Sequence, residues 1–197
     1  MRKVIYSVGT SLDGYIAAPD GSIDWLNRVT ANAKDEDFGM GAFFKRIDTV
    51  LMGRRTYEHA LKFGMGKDGY PGMKNYIFSR TLPPGERDGV EFVSCEIADF
   101  VSKLKETSGK DIWLCGGGEL ARQALEAKAV DEVTLGLTPI LIGSGIPAFP
   151  STFPETALEL AECKQYKGGT LGLTYRVVSS KMPGNRKTKV TKGKKKG

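Results

Sequence analysis

Ile112-Trp113-Leu114-Cys115-Gly116-Gly117-Gly118-Glu119-Leu120 is the stretch whose order decides the fold. A β-branched and aromatic run reads as a buried strand, and three glycines then turn the chain into a helix start. Glycine reaches backbone angles barred to other residues and lets a ligand approach the main chain. A helix start offers unpaired N–H groups and partial positive charge, a natural seat for a phosphate. A tight strand-to-helix turn needs only one or two glycines, so three in a row point to anion binding at Gly116, Gly117, Gly118 and Glu119. The spacing is not GxGxxG, which sets aside an ordinary Rossmann site.

Two more strand ends carry the same chemistry. Thr49-Val50-Leu51-Met52 is a short buried run, and Gly53-Arg54-Arg55-Thr56-Tyr57-Glu58 follows it. Two guanidinium groups and a hydroxyl at a helix start suit a phosphate monoester such as the 2′-phosphate of NADP. Asn75-Tyr76-Ile77-Phe78 reads as a strand, and Ser79-Arg80-Thr81 adds donors after it. Three anion-friendly turns at strand ends imply a cofactor lying across one edge of a sheet.

The rest of the chain supplies the layers. Val4 to Val8 reads as a first strand, followed by a loop rich in Gly, Asp and Pro over 10–24. Helices are expected over 36–46, from Arg54 to Leu61, over 97–107 and over 119–128. Further strands are expected at 90–93, 131–138, 157–166 and 171–178, with Pro83-Pro84-Gly85 forcing a loop. Helices alternate with strands early and the chain finishes in strands. The expected class is α/β, a three-layer α/β/α arrangement around a mixed, mostly parallel sheet with an antiparallel C-terminal edge.

Composition narrows the function classes. The 197 residues are 40% apolar and 26% charged, ordinary values for one globular domain. The apolar run after Arg2 and Lys3 is broken by Thr10, Ser11 and Asp13, so neither a signal peptide nor a membrane span is expected. Cys95, Cys115 and Cys163 are too scattered for a disulfide framework or zinc site, and reduced thiols in a cytoplasmic protein are the reading. A single histidine, His59, argues against a histidine-centred triad or a multi-histidine metal site. The net charge of +6 comes from the end: residues 181–197 hold eight cations and no acid, leaving 21 cations against 23 acids over 1–180. The expectation is a domain over 1–180 and a disordered basic tail over 181–197, whose contact with nucleic acid is a secondary reading.

Two loops complete the candidates. Ser11-Leu12-Asp13-Gly14-Tyr15-Ile16-Ala17 reads either as a turn or as a mobile flap over the cofactor, with Asp24 and Trp25 near a substrate pocket. Pro139-Ile140-Leu141-Ile142-Gly143-Ser144-Gly145-Ile146-Pro147 fixes an irregular, rigid connection.

With these segments in hand, the chain resembles the dihydrofolate reductase superfamily. It looks most similar to stand-alone relatives of the reductase domain from bacterial riboflavin biosynthesis. The matching pieces are SLDGYIA at 11–17, MGRRTYE at 52–58, FSRT at 78–81, IWLCGGGEL at 112–120 and PILIGSGIP at 139–147, in family order. The resemblance implies an eight-stranded central sheet with NADPH at the strand ends. It implies Gly53, Arg54, Arg55 and Thr56 on the adenosine-side phosphates, and Ser79 and Arg80 near the 2′-phosphate. Gly116, Gly117 and Gly118 would face the pyrophosphate, two of them often joined by a cis bond. Gly9 and Ile16 would lie beside the nicotinamide.

The departures from the family also inform. Asp35, Glu36 and Asp37 crowd the start of the first expected helix instead of its middle, which points away from folate itself. The riboflavin enzyme usually carries a deaminase domain in front of this one; the expectation here is a reductase domain alone, and the lysine-rich end lies outside the family pattern. The expected activity is hydride transfer from NADPH to a small pterin-like or pyrimidine-like heterocycle, with Asp13, Tyr15 and Trp25 on the substrate side. Relatives of this kind often form dimers, so a homodimer joins the heterocycle among expected partners. The rivals are a catalytically silent nucleotide-binding protein using its basic tail on nucleic acid, and a true riboflavin-pathway 5-amino-6-(5-phosphoribosylamino)uracil reductase.

Overall fold

The structure is a computed structural model that describes residues 1–31, 33 and 35–178; the expected basic tail lies outside the described residues. Strands β1 (Val4–Ser11) and β2 (Tyr15–Ala17) lead into helices α1 (Asp24–Ala31) and α2 (Met40–Arg46). Then come β3 (Ile47–Gly53), α3 (Arg54–Lys62), β4 (Lys74–Phe78), β5 (Gly85–Arg87), β6 (Val90–Val93) and α4 (Ile97–Glu106). The chain continues through β7 (Asp111–Gly116), α5 (Gly118–Glu126), β8 (Glu132–Thr138), β9 (Ile146–Pro147), β10 (Leu158–Gln165) and β11 (Leu171–Val177).

Nine strands form one sheet in the order β10-β11-β8-β1-β7-β3-β4-β6-β5. The six from β8 to β6 are mutually parallel, and the apolar runs of the central β1, β3 and β7 are buried on both faces as parallel strands require. The hairpin of β10 and β11 makes the antiparallel C-terminal edge, and β5 closes the other edge antiparallel to β6. On one face, α4 and α5 turn Ile97, Val101, Leu120, Ala121, Ala124 and Leu125 onto Val4, Tyr6, Leu51, Ile112 and Leu114. On the other, α2 and α3 cover Ile5, Val50, Met52, Ile77 and Trp113 with Phe43, Phe44, Tyr57 and Leu61. The layers are therefore α/β/α.

Four expectations are corrected. The sheet has nine strands, because Gly85, placed in the Pro83-Pro84-Gly85 loop, begins with Glu86 and Arg87 a strand that pairs along β6. The helix expected over 36–46 begins at Met40: Asp35, Phe38 and Gly39 take φ of 71°, 52° and 78°, a left-handed turn that cannot continue a helix. Asp37 caps that start, accepting N–H bonds from Gly39 at 2.8 Å and Gly41 at 3.3 Å. Helix α1, unforeseen, buries only Trp25. Among the described residues every peptide bond is trans, including that between Gly116 and Gly117; their φ values of 151° and 86° make the turn instead.

Candidate functional site

Because β3 and β7 are parallel neighbours, with Met52 opposite Gly116, the helices that follow them start side by side. Gly53 caps α3 and Gly117 caps α5, and neither helix has a side-chain cap to occupy its first N–H groups. A Cβ on Gly117 would sit 3.2 Å from Thr56 Oγ1 and 4.0 Å from the Gly53 nitrogen, so the two helix starts converge on one spot. Converging N-termini make a locus for an anion, each contributing partial positive charge. Gly118 serves packing instead, since a Cβ there would press on the Pro147 carbonyl at 3.0 Å and the Pro150 ring at 3.1 Å. Two of the three glycines thus shape the turn, and the third admits the 147–150 segment.

This locus opens into a cavity of about 1860 Å³ that follows the C-terminal ends of the parallel strands from β6 to β8 and reaches the N-terminal half of the antiparallel β11. Arg54, Arg55, Ser79 and Arg80 line it with Gly53, Thr56 and Gly116 to Glu119. Arg54 is held by Glu58 at 2.7 Å, whereas Arg55 and Arg80 are exposed and outside the ion pairs of the described residues. Ser79 Oγ accepts N–H bonds from Leu82 at 3.0 Å and Thr81 at 3.3 Å, shaping the turn that presents Arg80. Glu119 reaches the rim, but its carboxylate turns back on its own helix to Arg122 and Gln123. Those hydrogen bonds, Arg122 first, hold its pKa down to about 2, so it stays ionised and paired. The donor set fits a phosphate-bearing ligand.

The loop after β1 is stitched down instead of hanging free. Asp13 accepts N–H bonds from Gly143 at 2.8 Å and Ile142 at 3.2 Å, Leu12 N–H donates to the Ile140 carbonyl, and Ala148 N–H to the Gly14 carbonyl. Hydrogen bonds from Ser11 and these two amides keep the Asp13 carboxyl below its ordinary value. Strand β2 pairs with β9, so the 11–17 and 139–147 segments form one lid. Ile16 and Gly9 line the cavity beneath it.

The structure does not bring Asp13, Tyr15 or Trp25 to the cavity wall. Asp13 is spent on the lid, and Trp25 is 3% exposed with its indole N–H unpartnered. The wall at that end is formed instead by Ser7, Phe43, Tyr70, Trp113, Cys115 and Tyr166. The Tyr70 ring lies 4.7 Å from Trp113, and its hydroxyl is 3.5 Å from the Cys115 thiol. Burial pushes that thiol up to about 12, so it stays protonated and is no nucleophile near neutral pH. His59 also lines the cavity, and its imidazole packs where a Gly21 side chain would stand. Alternation along β1 would have placed Ser7 and Gly9 on one face; nothing in the 63–73 segment signals Tyr70.

Fold and site together define an α/β protein of the dihydrofolate reductase-like class, with a phosphate-ready cleft at the strand ends. The chain belongs to the RibD C-terminal domain family, which it matches over residues 2–171. It is 36% identical to the uncharacterized protein YwjB of Bacillus subtilis over 174 residues, covering 88% of this chain and 97% of YwjB. A second uncharacterized B. subtilis protein, YyaP, is 29% identical over 185 residues, 88% of this chain and 94% of YyaP. Among solved structures, a candidate riboflavin biosynthesis protein of Shewanella sp. PV-4 superposes with TM-score 0.76 at 28% identity, over 90% of this chain and 99% of that one. A Thermotoga maritima diaminohydroxyphosphoribosylaminopyrimidine deaminase/5-amino-6-(5-phosphoribosylamino)uracil reductase shares the fold, with TM-score 0.66 at 15% identity, over 90% of this chain and 57% of that one. Among the described residues no helix is long and apolar enough to cross a membrane.

Proposed function

We propose that the protein is a reductase of the pyrimidine-reductase type that uses NADPH to reduce a small pyrimidine-like or pterin-like heterocycle. The observation that carries this reading is the convergence of the uncapped starts of α3 and α5, flanked by Arg55 and Arg80, on one cleft. The family and the Shewanella and Thermotoga neighbours support the reaction class. Bound NADPH would supply a hydride that, with a proton from the medium, saturates one C=N or C=C bond as NADP⁺ forms. The amides after Gly53 and Gly117 hold the diphosphate, and Arg55 with Arg80 takes the 2′-phosphate. The lid keeps water from the reacting end. Tyr70 and Cys115 are both held protonated by burial, so neither acts as a base.

The test is a titration with NADPH and, separately, NADH, followed by quenching of Trp113, the tryptophan on the cavity wall. NADPH should bind more tightly. In the Arg54→Ala, Arg55→Ala double variant NADPH affinity should fall about tenfold or more, with NADH little changed. Equal losses for both cofactors would remove the 2′-phosphate assignment. Truncation after Ser180 should leave NADPH binding intact; nucleic-acid retention lost on truncation, with no NADPH binding, would favour the silent nucleotide-binding reading. Rapid turnover of 5-amino-6-(5-phosphoribosylamino)uracil would narrow the function to the riboflavin pathway.

A further inference from the structure

Across β1, β8 and β11 the register sets Gly9 beside Gly136 and Gly136 beside Gly172, with Ser7, Thr134 and Thr174 in the same alignment two residues away. All six line the cleft. Glycine weakens a strand interior, and it persists where something must come close to the backbone. Gly172 is explained within the chain, because a Cβ there would meet the Tyr166 ring at 2.7 Å. That ring stands on Gly172 and reaches Gly39, whose Cβ would meet the Tyr166 hydroxyl at 2.5 Å; Lys164 Nζ lies 4.7 Å from its centroid. Gly136 has no such reason. Its φ is not left-handed, and a Cβ would find only the Gly9 Cα, at an ordinary 3.6 Å. The remaining space above it is cavity.

We infer that Gly136 forms a bare peptide floor, bounded at Gly9 by the Leu26 side chain, on which the second substrate lies flat, and that Gly136 sets specificity for a planar heterocycle. Tyr166 walls the floor at one side, and Trp113, whose indole N–H donates to the Ser7 carbonyl at 2.9 Å, walls the other. The hydroxyls of Ser7, Thr134 and Thr174 both donate and accept, so they suit a ring edge on which donors and acceptors alternate. A side chain at position 136 would lift the ring off the floor without disturbing the strand. This inference rests on the reductase reading only in treating the ring as the second substrate.

The experiment uses the full chain and lumazine, a flat fluorescent pteridine, with NADPH binding and thermal stability measured in parallel. Wild type should quench lumazine saturably. Gly136→Val should weaken lumazine about tenfold or more, leave NADPH affinity unchanged, and melt no lower than wild type, since valine favours a strand. Gly136→Ala should show a smaller loss of the same sign, and Thr134→Val, which keeps the shape and removes the hydroxyl, should also weaken lumazine. Equal lumazine binding by wild type and Gly136→Val overturns the floor. So does parallel loss of NADPH and lumazine, or a wild type that takes NADPH and ignores lumazine. Lumazine binding that is sensitive at position 136 without any NADPH binding upholds the floor and overturns the cofactor reading.

Discussion

Gly117→Val should cost the fold about 3 kcal/mol or more and lower NADPH affinity about a hundredfold, the largest effect expected of any single change at the cleft. Gly117 holds φ 86° and ψ 97°, a conformation barred to a β-branched residue. Its Cβ would lie 3.2 Å from Thr56 Oγ1, tighter than ordinary packing, and the valine methyl groups would push between the two helix starts. For a chain of this size the loss corresponds to a melting point lower by about 6–12 °C, which still leaves a folded protein to assay. Gly53→Val is the informative companion. Gly53 has φ −74° and ψ 153°, and nothing lies within 4 Å of an added Cβ. That variant should keep its stability and lose cofactor affinity alone, because the new side chain enters the cleft. Thermal unfolding paired with NADPH titration separates the two. Full NADPH affinity in both variants would place the cofactor somewhere other than the α3–α5 junction.

The same positions show why part of the molecule was legible in the sequence. The starts of α3 and α5 announce themselves because a buried strand, a glycine turn and a helix are contiguous, and local backbone chemistry dictates that shape. Long-range pairing is different. Thr134 and Gly136 on β8 face the cleft only because β8 runs beside β1 in a register that places Gly136 at Gly9, and nothing within residues 132–138 records it. Helix α1 was missed because its single buried side chain, Trp25, gives no repeating apolar pattern. Strand β5 was missed because Gly85, Glu86 and Arg87 are all exposed and follow two prolines. Asp13 had the chemistry of a site carboxylate but serves the 139–147 segment, a partner about 130 residues away in sequence. What turn chemistry and burial determine locally could be read; what partners across the sheet determine could not.

Asp48→Ala tests such a distant partnership, and should destabilise the protein by about 3 kcal/mol by stripping a buried arginine of its counter-charge. Arg2 is 7% exposed. Its guanidinium donates to the Lys110 carbonyl at 2.6 Å, to Thr107 Oγ1 at 2.9 Å, to Thr49 Oγ1 at 2.6 Å and to the Asp48 carboxylate. Asp48 also accepts the Lys110 N–H at 2.8 Å, so one carboxylate ties the start of β1 to β3 and to the turn before β7. Burial alone would raise the Asp48 pKa; the Lys110 N–H, the Thr49 hydroxyl and the Arg2 charge together bring it below the ordinary value. A carboxyl depressed in the folded state stabilises fully above its unfolded pKa of about 3.9, and that contribution fades as pH falls through the lower folded value. Urea unfolding at neutral pH and in acid should therefore show Asp48→Asn less acid-sensitive than wild type below about pH 4. The Arg2→Met, Asp48→Leu double variant, which leaves no buried charge, should be less damaged than Asp48→Ala alone. A double variant at least as unstable as Asp48→Ala would mean that the arginine contributes through its bonds to Lys110, Thr107 and Thr49, and that its pairing with Asp48 is incidental.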